Sequence, residues 1–223
     1  MVSIDAKEKM GDYLMEKYGE AFTISHIDSN ESSISGNVIY SSDVWPELRP
    51  EVVFRCTLDR ATDELLDNYP EMDLAFRSKS EAIDAFEAQT SSKIASLRQL
   101  MFPVPYGHEV TLGDSLDETF SKNPGEVSLL LHAFVETSDV DADAIVGGMR
   151  GFIDGYVRRR GYNYLTLRIW YMAGASLARY KEDLEEGWEP YDPPSEMCSA
   201  VFTLVMKVSR IDSGELSNHL AIS

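Results

Sequence analysis

The chain has 223 residues, 43% hydrophobic, 26% charged and 10% aromatic, an ordinary globular composition that excludes collagen-like, disordered and disulfide-dense small scaffolds. Its 38 acidic and 20 basic residues give a formal net charge of −18, spread as 20 acidic against 10 basic residues up to residue 110 and 18 against 10 after it. A field of that sign repels phosphate backbones, and the densest basic run is only Arg158-Arg159-Arg160, so nucleic acid is excluded as a partner.

Taken from the N-terminus, Met10, Tyr13, Leu14 and Tyr18 fall at helical spacing and predict a helix over 5–19, stopped by Gly19. Phe22 to Ile27 alternates at period two and reads as a strand. Asp28 to Ser32 reads as a polar turn. Ile34, Val38 and Tyr40 predict a second strand and residues 52–57 a third, which makes a meander, with a short fourth strand near 64–67. Residues 69–101 read as helical throughout, bent near Ser78 and Glu81, which have capping-box spacing. Phe102 to Gly107, with Pro103 and Pro105, cannot continue a helix and marks a border between two lobes.

The second lobe reads as a strand over 128–136, a helix over 141–160 and a strand over 164–172. That spacing suggests a right-handed parallel crossover, with room left for an inserted strand. A charged helix over 175–187 and a long apolar strand over 198–209 follow, then a loose tail. The expected fold is α+β in two mixed lobes, 1–107 and 108–223, or one integrated domain built from both.

The run Lys17-Tyr18-Gly19-Glu20-Ala21-Phe22 closes a helix and enters a strand, and Asp67-Asn68-Tyr69 follows the meander. Together they resemble uncharacterised Gram-positive bacterial cell-envelope domains of lipoprotein type, over about the first 75 residues. The resemblance implies a small α+β, non-enzymatic module at the envelope and carries no functional residue. The written N-terminus has no apolar leader segment and no lipid-attachment cysteine, and reads as cytoplasmic; an envelope location requires that a leader was removed. No apolar run approaches the ~20 residues of a membrane-spanning helix.

Cys56 and Cys198 both sit in strand-like runs. They read as two buried free thiols, the alternative being one disulfide joining the lobes in an oxidising compartment. Asp139, Asp141 and Asp143 are spaced like the start of a calcium loop, but Ala144 and Arg150 stand where that loop needs glycine and glutamate, so they read as acidic residues at a helix N-terminus. Gly147, Gly151 and Gly155 recur every four residues and read as a close approach of helix to sheet; they are not a phosphate cradle, whose glycines precede a helix. Glu182 to Glu186 reads as a solvated helix face.

The four histidines, His26, His108, His132 and His219, form no HExxH pair and no near-spaced metal cluster, so the sequence implies no metal and no cofactor. Three segments join aromatics to proline: Trp45-Pro46, Pro103 to Tyr106, and Trp188 to Pro194. Stiff aromatic loops make recognition surfaces, which nominates Trp45, Tyr106, Trp188 and Tyr191 as ligand-binding residues for a protein, peptide or glycan. The sequence therefore reads as a non-catalytic binding or interaction module. Two alternatives stay open: an enzyme with a site assembled between the lobes near His108 or His132, and a structural subunit that pairs through the 198–209 strand edge.

Overall fold

The computed structural model describes residues 2–31, 37–105, 110–185, 192–212 and 214–222. By their contacts they divide into two units, Met1–Phe76 with Thr111–Gly113, and Arg77–Val110 with Asp114–Ser223. The fold is α+β, and among the described residues the strands form two five-stranded sheets, one per unit.

In the first unit, α1 (Val2–Tyr18) buries Ala6, Met10 and Leu14, which recur every four residues and so share one face. Gly19 ends the helix at φ +70°, a left-handed conformation that favours glycine, and its N–H bonds Met15 O at 2.9 Å. The sheet runs β1-β3-β4-β5, with β2 also paired to β3: β1 (Phe22–Ile24), β2 (Asp28–Glu31), β3 (Val38–Pro46), β4 (Phe54–Asp59) and β5 (Glu64–Asp67), all antiparallel. The short fourth strand is thus present as β5. Asp28–Glu31, expected as a turn, is a strand that pairs with Val38–Ser41. Its side chains are polar on both faces, so no alternation of hydrophobicity marks it. Ile34 lies outside the described residues. Helix α2 (Tyr69–Arg77) follows β5.

In the second unit the sheet order is β10-β9-β8-β7-β6. The strands are β6 (Ile94–Met101), β7 (Leu129–Glu136), β8 (Tyr164–Met172), β9 (Ala200–Lys207) and β10 (Leu220–Ile222). β7 and β8 are parallel direct neighbours, with no strand between them, and the other pairs are antiparallel. The helices are α3 (Lys79–Thr90), α4 (Leu116–Lys122), α5 (Ala142–Phe152) and α6 (Gly174–Glu185); α5 runs on into a π-helical stretch, Ile153–Arg158. Leu129, Leu131, Ala133 and Val135 of β7 are buried beside Leu165, Leu167 and Ile169 of β8 and Phe202 and Leu204 of β9.

Several sequence expectations are corrected here. Residues 69–101 are two helices and a strand, not helix throughout. Ser91, at φ 55°, ends α3, and residues 94–101 then hydrogen-bond to β7. That pairing assigns them to the second sheet, so the division between units falls at Phe76 and Arg77 rather than after Pro105. Ser78 precedes α3 without a side-chain cap, whereas Ser115 and Glu118 form a full capping box at α4. The glycine stripe serves helix–helix packing rather than a helix on a sheet. A Cβ on Gly148 would come within 2.8 Å of Thr90 Cα, and Cβ atoms on Gly151 and Gly155 would press on Gln89, both at the end of α3, while Gly147 faces open space. The 198–209 run is no edge strand either, because the expected loose tail returns as β10 and pairs with it.

Candidate functional site

Three polar constellations stand out among the described residues, and they differ in how completely their groups are partnered. The first is a knot in the first unit, built from the two motifs that carry the envelope-domain resemblance. Asp67, its side chain fully buried, accepts hydrogen bonds from Tyr13 Oη (2.8 Å), Lys17 Nζ (2.8 Å), Tyr18 Oη (2.7 Å) and the Tyr69 backbone N–H (3.0 Å). Burial alone would raise this carboxyl, but the Lys17 and tyrosine hydrogen bonds together outweigh it and hold it below the usual carboxylate range. Next to it Tyr69 donates to Glu20 Oε1 at 2.7 Å and accepts from Arg49, which also pairs with Asp73 at 2.5 Å. The Tyr69 ring stacks on Phe54 and meets Tyr18 and Phe22 edge to face. Lys17, Tyr18, Glu20, Phe22, Asp67 and Tyr69 therefore tie the end of α1 to the β5–α2 junction. With Asp67 fully enclosed and fully bonded, the knot has no opening for a ligand. Only Glu71 at its border keeps a buried oxygen without a partner, and burial raises that carboxyl.

The second constellation is a cleft of about 460 Å³ on the sheet of the second unit, lined among others by Arg168, Trp170, Asp192, Pro193, Thr203 and Asn218. Strand register builds its floor. Gln99, His132, Arg168 and Thr203 stand opposite one another across β6 to β9, and Phe134, Trp170 and Val201 form the next row on the same face. Trp170 is 2% exposed and stacks on Phe134 at 4.9 Å. Two guanidiniums lie over it, Arg168 at 5.5 Å and Arg98 at 5.9 Å. Arg98 sits where β6 slips register between Leu97 and Gln99, and a bulge of this kind re-aims a side chain; its Nη1 donates to Tyr180 Oη at 2.9 Å. Arg168 Nη1 pairs with Asp192 Oδ2 at 2.8 Å, with both side chains 38% exposed. His132 is half-buried against Trp170. Desolvation, with Arg168 and Arg98 nearby, keeps its imidazole below its usual pKa and therefore neutral at pH 7.

The third is a crevice of about 410 Å³ at the carboxyl ends of β7 and β8, beside the start of α5. In the first unit a larger recess of about 830 Å³ runs past Lys7 and Glu8 of α1 and Phe22 to Ile27, with mainly aliphatic and aromatic lining.

The sequence-nominated binding residues are only partly described. Trp45 is half-buried inside β3, opposite Thr23, so it is a strand residue and not part of a loop. Tyr106, Trp188 and Tyr191 lie outside the described residues, as do His108 and the side chains of 183–186. Asp192 and Pro193, at the described end of the Trp188–Pro194 segment, do line the Trp170 cleft. His26 is exposed, and His219 Nδ1 lies 3.1 Å from Thr203 O. Asp141 caps α5 by accepting the Ala144 N–H, as its place at a helix N-terminus predicts. The disulfide weighed between Cys56 and Cys198 is absent. Each is a free buried thiol enclosed in its own apolar cluster, and burial raises both, Cys56 to about 12. Sequence reading missed Arg98, hidden by the helical reading of 94–101. It also missed Trp170 and Arg168, although their spacing in YLTLRIWYM already put them on one strand face.

Among the described residues no His, Cys, Asp and Glu side chains gather as metal ligands, and no helix is long and apolar enough to cross a membrane. No protein-family model matches the chain, and no curated protein does. Among solved structures it is similar to the crystal structure of a DUF5037 family protein from Ruminococcus gnavus, at 16% identity and a TM-score of 0.46, over 83% of this chain and 81% of that one.

Proposed function

We propose that this protein is a non-catalytic binding module, and that the Trp170 cleft seats a short peptide through a carboxylate group. The observation that carries the reading is the Arg168–Asp192 pair. A carboxylate from the aromatic–proline segment already occupies the one guanidinium of the cleft that is accessible enough to exchange partners, at 2.8 Å. A ligand carboxylate takes the place of Asp192 on Arg168, because the planar fork of an arginine accepts any carboxylate with the same geometry. Asn218, Ser195 and Thr203 then offer hydrogen bonds to a peptide backbone, and Pro193, Val201 and Leu220 offer apolar contact. Trp170, held by Phe134 and the two guanidiniums, is a rigid floor rather than a moving part.

The test compares acetyl-tetra-alanine with a free C-terminus against its C-terminal amide, by calorimetric titration of the full chain. Asp192→Asn removes the internal competitor and strengthens binding of the free acid about tenfold. Arg168→Met abolishes it while the protein stays folded. Equal binding of acid and amide, or binding unchanged in Arg168→Met, overturns the reading.

A further inference from the structure

The crevice at the carboxyl ends of β7 and β8 stands apart from the Trp170 cleft and is built differently. Parallel strands joined through a helix leave a hollow beyond their carboxyl ends, a place where ligands bind in open α/β sheets. Here the hollow is bordered by the α3–β6 connection at Lys93, the exit of β7 at Glu136 and Thr137, and the first turn of α5. Most of the polar groups around it are already used. Thr137 Oγ1 donates to Asp139 O, Thr90 Oγ1 to Phe86 O at 2.9 Å, and Asp141 caps α5, so the helix N-terminus itself is occupied.

Three groups are left. Tyr171, at the end of β8, is 2% exposed, contributes to the crevice wall and has a buried hydroxyl with no hydrogen-bond partner. A buried hydroxyl in that condition costs about 1–3 kcal/mol, which a bound polar molecule recovers. The Glu136 carboxylate and the Lys93 ammonium, on opposite sides of the opening, take part in no hydrogen bond or ion pair among the described residues. Glu136 is also set in place by sterics, since a Cβ on Gly174 at the start of α6 would lie 2.6 Å from its Oε1.

We infer that this crevice is a second binding site, for a small zwitterion of the α-amino acid class. The ligand's ammonium pairs with Glu136, its carboxylate pairs with Lys93, and a polar atom of it satisfies the Tyr171 hydroxyl. A volume of about 410 Å³ admits a free amino acid or a dipeptide and no extended chain. One free cation, one free anion and one unsatisfied hydroxyl around one hollow match a molecule that carries both charges; an amine alone or an acid alone would leave one of them unused.

The experiment is thermal unfolding of the full chain with each of the twenty common amino acids in turn, with ethanolamine and acetate as single-charge controls. One or a few amino acids raise the midpoint by roughly 5 °C near saturation, and the controls do not. Tyr171→Phe folds at least as stably as the parent, because it removes the unpartnered hydroxyl, and weakens the amino acid about tenfold by calorimetry. Glu136→Gln and Lys93→Met each abolish the shift. Binding of the acetylated peptide at the Trp170 cleft is unchanged in all three variants, so failure here and failure there are separate results. The inference is overturned if no amino acid shifts the midpoint, which leaves ordered water as the partner of Tyr171. It is equally overturned if ethanolamine or acetate alone reproduces the shift, or if Tyr171→Phe binds as tightly as the parent.

Discussion

The Asp67 knot and the Trp170 cleft both place a carboxylate beside a cation and an aromatic, and they use the arrangement to opposite ends. In the knot the carboxylate is fully enclosed and every lone pair has a donor, so the set acts as a clasp. In the cleft the Arg168–Asp192 pair is more than a third exposed and stands at the mouth of an opening. The same chemical groups fasten the chain where they are saturated and sealed, and become available for exchange where solvent reaches them. Exposure, more than residue type, separates structure from binding here.

The sharpest way to break that comparison is to remove the clasp. Asp67→Ala leaves Lys17, Tyr13 and Tyr18 without their acceptor and is expected to cost about 3 kcal/mol in urea unfolding. In the cleft, Asp192→Ala is expected to change stability by less than about 0.5 kcal/mol, as an exposed pair should. Equal losses in the two would erase the distinction. The next largest effect lies in helix packing. Gly148→Ala drives a Cβ into the Thr90 backbone and is expected to destabilise by about 1–3 kcal/mol, whereas Gly147→Ala meets nothing and gains up to about 1 kcal/mol of helix propensity.

Acid gives a smaller and signed effect. The Asp67 carboxyl is held below its ordinary value, so its contribution is complete above the unfolded-state pKa and is lost as pH falls through the folded one. Glu71 behaves in reverse. Burial raises its carboxyl, so its penalty is absent at low pH, grows as pH climbs past the unfolded-state pKa and is complete above the folded one. Glu71→Gln is therefore expected to raise the unfolding midpoint at pH 7 by about 1–2 °C and to leave it unchanged near pH 3. Smallest of all, neither thiol should react. With both cysteines buried and shifted upward, iodoacetamide at pH 8 is expected to leave the native protein unmodified and to label Cys56 and Cys198 once urea unfolds it; intact mass reads the result. Rapid native labelling of Cys198 would show that the segment after Pro193 opens readily.

Elements whose burial alternates were legible in the sequence. The patterns of SLLLHAFVE and YLTLRIWYM announced β7 and β8, and Leu177 and Tyr180 marked the buried face of α6. Elements defined by backbone pairing were not. β2 has no apolar residue to betray it. β6 has apolar residues at helical spacing because two register shifts break its alternation. β10 is too short to carry a pattern. The Trp170 cleft was half legible: proline and aromatic content pointed to the segment ending at Pro194, but its target depends on strand register, which places His132, Arg168 and Thr203 in one row. The crevice at Tyr171 was not legible, because an unpartnered hydroxyl is a property of three-dimensional surroundings.

The two outer strands of the second sheet have a further consequence. β10 spans three residues, and β6 is interrupted twice in its register. A foreign strand approaching either side finds a broken series of amide and carbonyl groups, and so cannot be templated over more than a few residues. The sheet caps its own growth, and strands of neighbouring molecules find no continuous seam on which to polymerise.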